Sequence, residues 1–353
     1  MSFLAANRSY ESWMRTQCEV VEDDLDRKHE RMKESSFLFL RATFFRWPYF
    51  LKHAAADVLK MPAPLAVGDA HVENFGTWRD AEVRLVWGIN DHDDASYIPY
   101  GSDLLRLAVS VRLASFGLAN IDAATAILEG YEHGLKYPGP TILDENERWM
   151  RKYVAVTDDE RDDFWDGITK CPDADPPKEA RSALLGSLPA SARVERFARR
   201  RKGGGSLGRP RFIVIAGWQG GQIVREAKAL IPSGWEWATG NPGRPSRFEE
   251  IAKASTRSPD PFLGVRNGFI VRRLSPDARK IERSPEFDRK LDSKLLRAMG
   301  SEVGSIHAYS SEIAEAIVDD LKGRDGSWLH AAAKALIALV EADYQEWKDS
   351  EKS

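Results

Sequence analysis

A short acidic loop after an apolar segment carries the residues with the clearest potential for chemistry. The stretch GDAHVENFG places Asp69 and Asn74 five positions apart, directly after the apolar residues 65–67. In phosphoryl transfer, a loop aspartate accepts the proton of the attacking hydroxyl, and an asparagine five positions later binds a magnesium ion. The spacing therefore predicts Asp69 as a catalytic base and Asn74 as a metal ligand of the same catalytic site.

A second acidic segment, NDHDDA, follows the predicted strand over residues 81–89. Carboxylate and amide oxygens are the ligands that magnesium prefers. A hairpin between the two segments would bring Asp91 to the edge that carries Asp69, so we predict Asp91 as a catalytic residue and metal ligand. Asp93 is predicted to bind a second metal ion. Asp103, at the start of a helical pattern, is expected to hydrogen-bond the loop backbone and hold its shape.

A glycine-rich turn, GGGSLG, precedes the predicted strand RFIVI. Such a turn lets backbone N–H groups approach phosphates. The predicted phosphate-binding residues in it are Gly205, Ser206 and Gly208. The next strand carries Arg225 and Lys228, with Glu226 expected on the opposite face. Lys228 is the preferred phosphate ligand, because lysine acts as a point charge, but Arg225 stays open.

Several other polar side chains have two interpretations each. Arg41 in FLFLRA either binds phosphate or is a surface cation with a buried stem. His71 and His92 either bind metal or brace their loops, and bracing is favoured for His71. For His307, a buried or capping helix histidine is favoured. The basic run over residues 196–204 is predicted to be a solvated flexible linker and not a nucleic-acid patch.

Composition limits the classes of protein that fit. The 353 residues are 42% hydrophobic and 30% charged, with a net charge of −3, so overall charge does not indicate nucleic-acid binding. No apolar run reaches the roughly 18 residues of a membrane span, and the start lacks a signal-peptide pattern. Cys18 and Cys171 are too few for a disulfide framework or a cysteine zinc site. We expect a cytoplasmic protein without membrane or nucleic-acid partners; the sequence does not indicate its oligomeric state.

The expected fold class is α+β, with helices at both ends of the chain. Helical patterns cover residues 8–60, 101–118, 122–136 and 284–349. Two hairpins are predicted over residues 211–230 and 262–274, the second around an Asn-Gly turn. These patterns indicate a helical, catalytic-loop domain over residues 1–190, a β-rich nucleotide-binding domain over 191–280, and C-terminal helices over 281–353 that pack back on the first domain.

The motifs resemble the phosphotransferase core of aminoglycoside and choline kinases, which have the protein-kinase-like fold. GDAHVEN, INDHDDA and YGSDLLRLA are similar to that family's H-G-D-x-x-x-x-N, I-D-x-x-x-A and D-L-A pattern. The resemblance implies Asp69 as the base, Asn74 and Asp91 as magnesium ligands, and Asp103 as a structural aspartate. Val67 stands where that family usually has histidine.

A closer resemblance covers about residues 30–345. GDAHVENFG, INDHDDA, DLLRLAVSVRLA, REAKAL and HAYS resemble the bacterial family called domain of unknown function 2252. That resemblance implies a fold and no substrate. The family usually has Lys-Glu-Ala where this chain has Arg225-Glu226-Ala227, so either Arg225 or Lys228 takes the role of that lysine.

The order of the motifs differs from that of ordinary kinases, whose glycine-rich loop and strand lysine precede the catalytic loop. Here both follow it, so we expect a two-lobe kinase-like fold that is circularly permuted. The predicted function is an ATP- and Mg²⁺-dependent phosphotransferase whose acceptor is unidentified. The alternatives are a metal-dependent phosphoesterase and a pseudokinase that binds nucleotide without turnover. Transfer of AMP in place of phosphate also stays open.

Overall fold

The computed structural model describes residues 1–114, 118–280 and 289–350, and its architecture is α+β. Its α-helices are α1 (Phe3–Gln17), α2 (Glu22–Glu34), α3 (Ser36–Ala42), α4 (Trp47–Ala54), α5 (Tyr100–Leu113), α6 (Asn120–Lys136), α7 (Arg151–Val154), α8 (Asp158–Thr169), α9 (Lys178–Leu185), α10 (Gly234–Ala238), α11 (Phe248–Ala252), α12 (Arg289–His307), α13 (Ser311–Lys322) and α14 (Trp328–Asp349). Its strands are β1 (Leu65–Ala66), β2 (Phe75–Arg79), β3 (Leu85–Ile89), β4 (Ser96–Tyr97), β5 (Thr141–Ile142), β6 (Arg193–Arg199), β7 (Arg211–Trp218), β8 (Gly221–Ala229), β9 (Gly264–Arg266) and β10 (Phe269–Leu274).

The last helix, α14, packs against the helices that begin the chain. The ring of Phe3 lies 4.7 Å from that of Phe39 and 5.8 Å from that of Trp347. Arg46 adds a buried ion pair, with its Nε 2.7 Å from Oδ2 of Asp343. The two ends of the described chain therefore share one apolar core. Among the described helices, none is both long and apolar enough to cross a membrane.

Glycines allow α12 to pack directly on the backbone of α6. A Cβ added to Gly130 or Gly134 of α6 would lie 2.0 Å from the carbonyl oxygen of Arg297 or Ser301. Gly300 and Gly304 of α12 make equally close approaches in the other direction. The chain that follows the β-rich part is thereby held on the first helical part. Residues 281–288, where we predicted the C-terminal segment to begin, lie outside the described residues.

Two small sheets position the acidic loops. β1 pairs with β4, which brings together the two ends of the segment 67–95. β2 pairs with β3 so that Phe75 lies opposite Ile89. The N–H of Asn90 donates to the carbonyl of Asn74 at 3.1 Å. The residues that follow β3 therefore lie beside the residues that precede β2.

The second part of the chain forms a five-stranded antiparallel sheet in the order β6-β7-β8-β10-β9. Both predicted hairpins are present, β7-β8 and β9-β10. Their two-residue turns have positive φ at Gln219 (49°) and Gly220 (83°), and at Asn267 (50°) and Gly268 (78°). This conformation matches the twist of antiparallel strands and favours asparagine and glycine. The glycine-rich turn joins β6 to β7.

The basic run is not the solvated linker that we predicted over residues 196–204. Residues 196–199 belong to β6, where Ala198 is fully buried. Arg196 donates to the carbonyls of Cys171 and Ile168 at 2.9 Å, and Arg200 lies 2.6 Å from the carboxylate of Glu226. The prediction was wrong because it weighed the charges and missed the alternation that marks a strand.

Candidate functional site

Most of the predicted site residues line a charged cleft between the acidic loops and the glycine-rich turn. The cleft encloses about 740 Å³ of space, which includes its open mouth. It is lined by Asp69, Asn74, Asp91 and Asp93, by the turn residues 203–206, and by four cations, Lys28, Arg41, Arg209 and Lys280. We refer to this space as the cleft.

Asp103 sets the shape of the loop that carries Asp69. Its carboxylate accepts hydrogen bonds from the N–H groups of Val67, at 2.8 Å, and Gly68, at 3.0 Å. Nε2 of His307 lies 3.2 Å from the same carboxylate. Gly68 has a φ of +86°, and a Cβ there would lie 2.5 Å from the carbonyl oxygen of Asp94. The prediction that Asp103 holds the loop backbone is confirmed, and His307 is a buried histidine that supports it.

Asp69 is partly exposed to the cleft and is tied to α5 by a residue that the sequence analysis missed. Nε of Arg106 donates to Oδ1 of Asp69 at 2.9 Å, and the Asp69 side chain is 20% exposed. Burial raises the pKa of Asp69 to about 6, against the opposing charge of Arg106. The carboxylate is ionised at neutral pH, with a pKa close enough to neutrality for general base chemistry.

His71 braces the same loop. Its Nδ1 accepts a hydrogen bond from the N–H of Glu73 at 3.2 Å, and its Nε2 lies 3.8 Å from Oδ2 of Asp69. Burial, together with the charge of Arg41, holds the pKa of His71 well below its usual value. The ring is therefore neutral at physiological pH, and Nε2 carries the proton because Nδ1 acts as an acceptor.

The side chain of Asn74 joins the two acidic loops. Its Nδ2 donates to the backbone carbonyls of Asp69, at 2.9 Å, and Asp91, at 2.6 Å. Both bonds use the amide nitrogen, so the amide oxygen is left as the group that can bind a cation. This arrangement fits the predicted metal ligand, because an amide oxygen is a hard donor.

Asp91 and Asp93 both contact the ammonium group of Lys228. Lys228 Nζ lies 3.3 Å from Oδ1 of Asp91 and contacts Asp93, which Arg209 also approaches at 3.3 Å. Burial raises the pKa of Asp91, but the charge of Lys228 and a hydrogen bond with Asp93 outweigh it, so the pKa lies well below its usual value. Burial and the charge of Asp91 raise the pKa of Asp93 to about 6.

The difference between the pKa values of Asp91 and Asp93 suits the two carboxylates to different roles. Asp91 is ionised at all physiological pH values, and its side chain is 53% exposed, so it can bind a divalent cation. The side chain of Asp93 is 8% exposed and is held by two cations. The predicted binding of a second metal ion by Asp93 stays a prediction.

The two candidate phosphate ligands on β8 lie on opposite faces of the sheet. Lys228 pairs with Arg211 and faces the acidic loops, whereas Arg225 pairs with Val214 and stacks on Phe262, 4.2 Å from its ring centre. The structure therefore does not bring Arg225 into the cleft. The expectation for Glu226 was also wrong, because residues two apart in a strand share a face.

Glu226 lies on the same face as Lys228. Its carboxylate is buried and is bound by three guanidinium groups, those of Arg200, Arg211 and Arg272, at 2.6, 3.1 and 2.7 Å. Burial raises its pKa, but these charges outweigh burial and hold the pKa of Glu226 well below its usual value. The carboxylate thus fixes a layer of arginines beneath the sheet.

The glycine-rich turn lies over the Asp69 loop at van der Waals distance. A Cβ on Gly205 would be 2.5 Å from the carbonyl oxygen of Arg41 and 3.9 Å from Oδ2 of Asp69. Ser206 lines the cleft and accepts a hydrogen bond from Arg211 at 3.1 Å. Gly208 lies elsewhere, because its α-carbon faces Leu25 of α2. Two of the three predicted turn residues therefore reach the cleft.

Four cations make the cleft suited to an anion as well as to a metal ion. Arg41 lies 2.5 Å from the carboxylate of Glu73, and Lys280 donates to the carbonyl of Glu73. Burial lowers the pKa of Lys28 to about 8, although the charge of Glu11 opposes this shift. Sequence reasoning missed Lys28, Arg209 and Lys280; only Arg209, which directly follows the glycine-rich turn, had a positional signal.

A metal ion in this cleft would need ligands beyond acidic side chains. Over residues 1–114, 118–280 and 289–350, no three His, Cys, Asp or Glu side chains are grouped to hold a metal ion. Asp91 and Asn74 together offer one carboxylate and one amide oxygen. Magnesium characteristically takes one or two protein carboxylates and completes its shell with water and substrate phosphates. The donor set therefore fits magnesium with an anionic substrate better than a pair of tightly held metals.

Comparison with known proteins gives one match. No curated protein and no solved structure matches the chain. A family model described as "Uncharacterized protein conserved in bacteria (DUF2252)" matches residues 20–134 and 142–350. These ranges cover most of the chain and include both acidic loops, the glycine-rich turn and the five-stranded sheet. The chain therefore belongs to the DUF2252 family.

Proposed function

We propose that this protein is an ATP- and Mg²⁺-dependent phosphotransferase with a circularly permuted, kinase-like arrangement of its two parts. The observation that carries the proposal is the contact of Lys228, on β8, with Asp91, which lines the cleft together with Asn74 and the glycine-rich turn. In protein kinases, a glycine-rich loop covers the phosphates, the phosphate-binding lysine lies on the third strand, and an Asp and an Asn hold magnesium. Here the turn joins the first two strands of the sheet, and Lys228 lies on the third.

Each residue has a defined role in this proposal. Asn74 and Asp91 would hold magnesium, which when bound neutralises the phosphate charge and orients the nucleotide. The backbone of residues 203–206 and the ammonium group of Lys228 would bind phosphate oxygens. Lys28, Arg41, Arg209 and Lys280 add positive charge at the same cleft.

The proposed chemical step is an in-line displacement. An acceptor hydroxyl oxygen forms a bond to the γ-phosphorus as the bond from that phosphorus to the β–γ bridging oxygen breaks. Asp69 takes the hydroxyl proton, and ADP leaves. Arg106 holds Oδ1 of Asp69 and so orients Oδ2 toward the cleft. The same metal ligands and cations could also support AMP transfer, in which pyrophosphate is the product.

The test is nucleotide-dependent thermal stabilisation followed by product analysis. ATP with magnesium should raise the Tm of the wild type, and Asp91→Ala should abolish the shift. Asp57→Ala, at a side chain that is 90% exposed, is the matched control and should keep it. Asp69→Asn should retain the shift and lose turnover, measured as ADP or pyrophosphate release with a panel of hydroxyl acceptors.

The outcomes separate the competing functions. ADP release indicates phosphate transfer, and pyrophosphate release indicates AMP transfer. Nucleotide binding without either product would assign the protein as a pseudokinase. The absence of a shift with ATP and magnesium would refute the proposal. Hydrolysis of phosphate esters with manganese or zinc alone would assign it as a metal-dependent phosphoesterase.

A further inference from the structure

A second cavity lies on the other side of the segment that carries Asp91 and Asp93. It encloses about 690 Å³ of space, including its open mouth, and is lined by Asn90 and His92, which alternate in sequence with the acids of the cleft. Its apolar lining residues are Trp78, Ile89, Ala252, Pro259, Leu263 and Ala278. We call it the side cavity. Most of its exposed wall is apolar, and its charged lining residues are paired with one another or with neighbouring carboxylates.

The guanidinium groups of the side cavity are held by the protein itself. Nη1 of Arg257 lies 2.7 Å from the carboxylate of Glu302. Nε of Arg273 lies 2.9 Å from that of Asp260. Arg272 is bound to Glu226. Each of these guanidinium groups has a carboxylate partner, which offsets its positive charge at the side cavity.

The imidazole of His92 has no hydrogen-bond partner among the described residues. Its side chain belongs to a residue that is 1% exposed, it stacks on Phe248 with ring centres 4.3 Å apart, and both ring nitrogens are buried without a partner. A neutral imidazole presents one donor and one acceptor. Buried polar groups of this kind normally have partners.

Asn90 offers a second unused polar group. Its backbone N–H bonds to Asn74, but within the described residues its side-chain amide makes no hydrogen bond. The amide lies over Gly76, where an added Cβ would come 2.3 Å from Nδ2. Two neutral groups, each with a donor and an acceptor, are therefore available at one apolar cavity.

We propose that the side cavity binds a planar, uncharged heteroaromatic ring with adjacent hydrogen-bond donor and acceptor groups, that is, a ring of the nucleobase type. Apolar walls favour burial of a flat ring, and Trp78 provides an aromatic surface for it. His92 and Asn90 supply the polar contacts that orient the ring. The ring belongs either to the nucleotide of the proposed function or to a separate ligand, and the inference does not depend on which.

Calorimetric titration with uncharged nucleosides tests this inference without magnesium. The probes are adenosine, guanosine, cytidine and uridine. At least one should bind the wild type. Ala278→Trp, at an exposed position of the cavity lining, should weaken binding at least about tenfold, because the indole would occupy the space of the ring. Ala335→Trp, at an exposed position of α14, is the matched control and should bind like the wild type.

His92→Phe should retain the apolar cavity and lose the preference for one base over the others, because only the polar contacts are removed. Absence of binding of all four nucleosides at millimolar concentration would overturn the proposal. Equal binding by Ala278→Trp and the wild type would overturn it as well, and that variant changes only an exposed position, so its folding is not at issue.

The two sources of the ring are distinguished by MgATP. If the base of ATP occupies the side cavity, the nucleoside competes with MgATP, and Ala278→Trp weakens both. If the ligand is separate, Ala278→Trp binds MgATP like the wild type. Asp91→Ala should lose MgATP binding and retain nucleoside binding, so failure of the proposed function and failure of this inference give different results.

Discussion

The ammonium group of Lys228 lies 3.3 Å from Oδ1 of Asp91 and so connects the five-stranded sheet to the acidic loops. The two residues are 137 positions apart in the chain. Their contact places the ammonium group of Lys228 beside a carboxylate that lines the cleft and can bind a cation. The proposed phosphotransferase activity depends on this contact more than on any single motif.

Lys228→Met should therefore weaken the binding of MgATP. A hydrogen bond to a charged group contributes about 1.5–3 kcal/mol, so we expect Kd to rise about 10- to 150-fold. Arg225→Met is the matched control, because Arg225 lies on the same strand but on the opposite face. Calorimetric titration should give the control a Kd within about twofold of the wild type. Equal losses in both variants would contradict the role given to Lys228.

The glycine-rich turn allows a comparison between adjacent positions. An added Cβ at Gly205 would be 2.5 Å from a backbone carbonyl, whereas at Gly204 it would be 3.7 Å from the flexible end of Arg41. Gly205→Ala should displace the turn from Asp69 and raise the Kd for MgATP about tenfold or more. Gly204→Ala should change it less than about twofold. Normal binding by Gly205→Ala would show that the turn does not contact the nucleotide.

The sequence predicted the acidic loops well because their chemistry depends on local spacing. Asn74 and Asp91 lie at the ends of the β2-β3 hairpin, Asp69 follows the short strand β1, and Asp103 lies in the first turn of the next helix. The Asn-Gly turn at residues 267–268 gave the β9-β10 hairpin in the same way. In both the acidic loops and the hairpin, the residues that allowed the prediction lie within a few positions of the loop or turn that they form.

Contacts between distant segments could not be predicted. Arg106 bonds to Asp69 across 37 positions, and nothing in an apolar helical pattern distinguishes it from a surface arginine. Lys28 reaches the cleft from α2 only because the N-terminal helices pack against the acidic loops. The positions of Arg225 and Glu226, by contrast, could have been predicted from the sequence. Side chains alternate between the two faces of a strand, and this alternation alone assigns both residues to the correct face.

The proposed base gives a definite pH dependence. The pKa of Asp69 is raised to about 6, so the proton-accepting form is lost as the pH falls through that value. Turnover of saturated enzyme should therefore decline below about pH 6 with a slope approaching one. Asp93 also has a pKa raised to about 6, so kcat/KM should decline with a slope approaching two if its protonation weakens the hold on Lys228 and Arg209. Asp69→Asn should show low turnover that does not vary in this range.

Burial of a neutral His92 gives a second pH dependence, that of stability. The folded-state pKa of His92 is lowered to about 3, while the unfolded-state value is 6.5. As the pH falls below 6.5, the unfolded chain gains a proton that the folded chain does not, so stability is lost. Between pH 7.5 and pH 5 this loss amounts to about 2 kcal/mol.

His92→Phe should remove that loss, because phenylalanine does not titrate. The free energy of unfolding, measured by denaturant titration at both pH values, should fall by about 2 kcal/mol less in the variant than in the wild type. The other titrating groups are common to both proteins and cancel in the difference. His53→Phe, at an exposed histidine, controls for removal of an imidazole at the surface and should give a smaller difference. A difference between His92→Phe and the wild type that is the same at both pH values would mean that burial does not lower the pKa of His92.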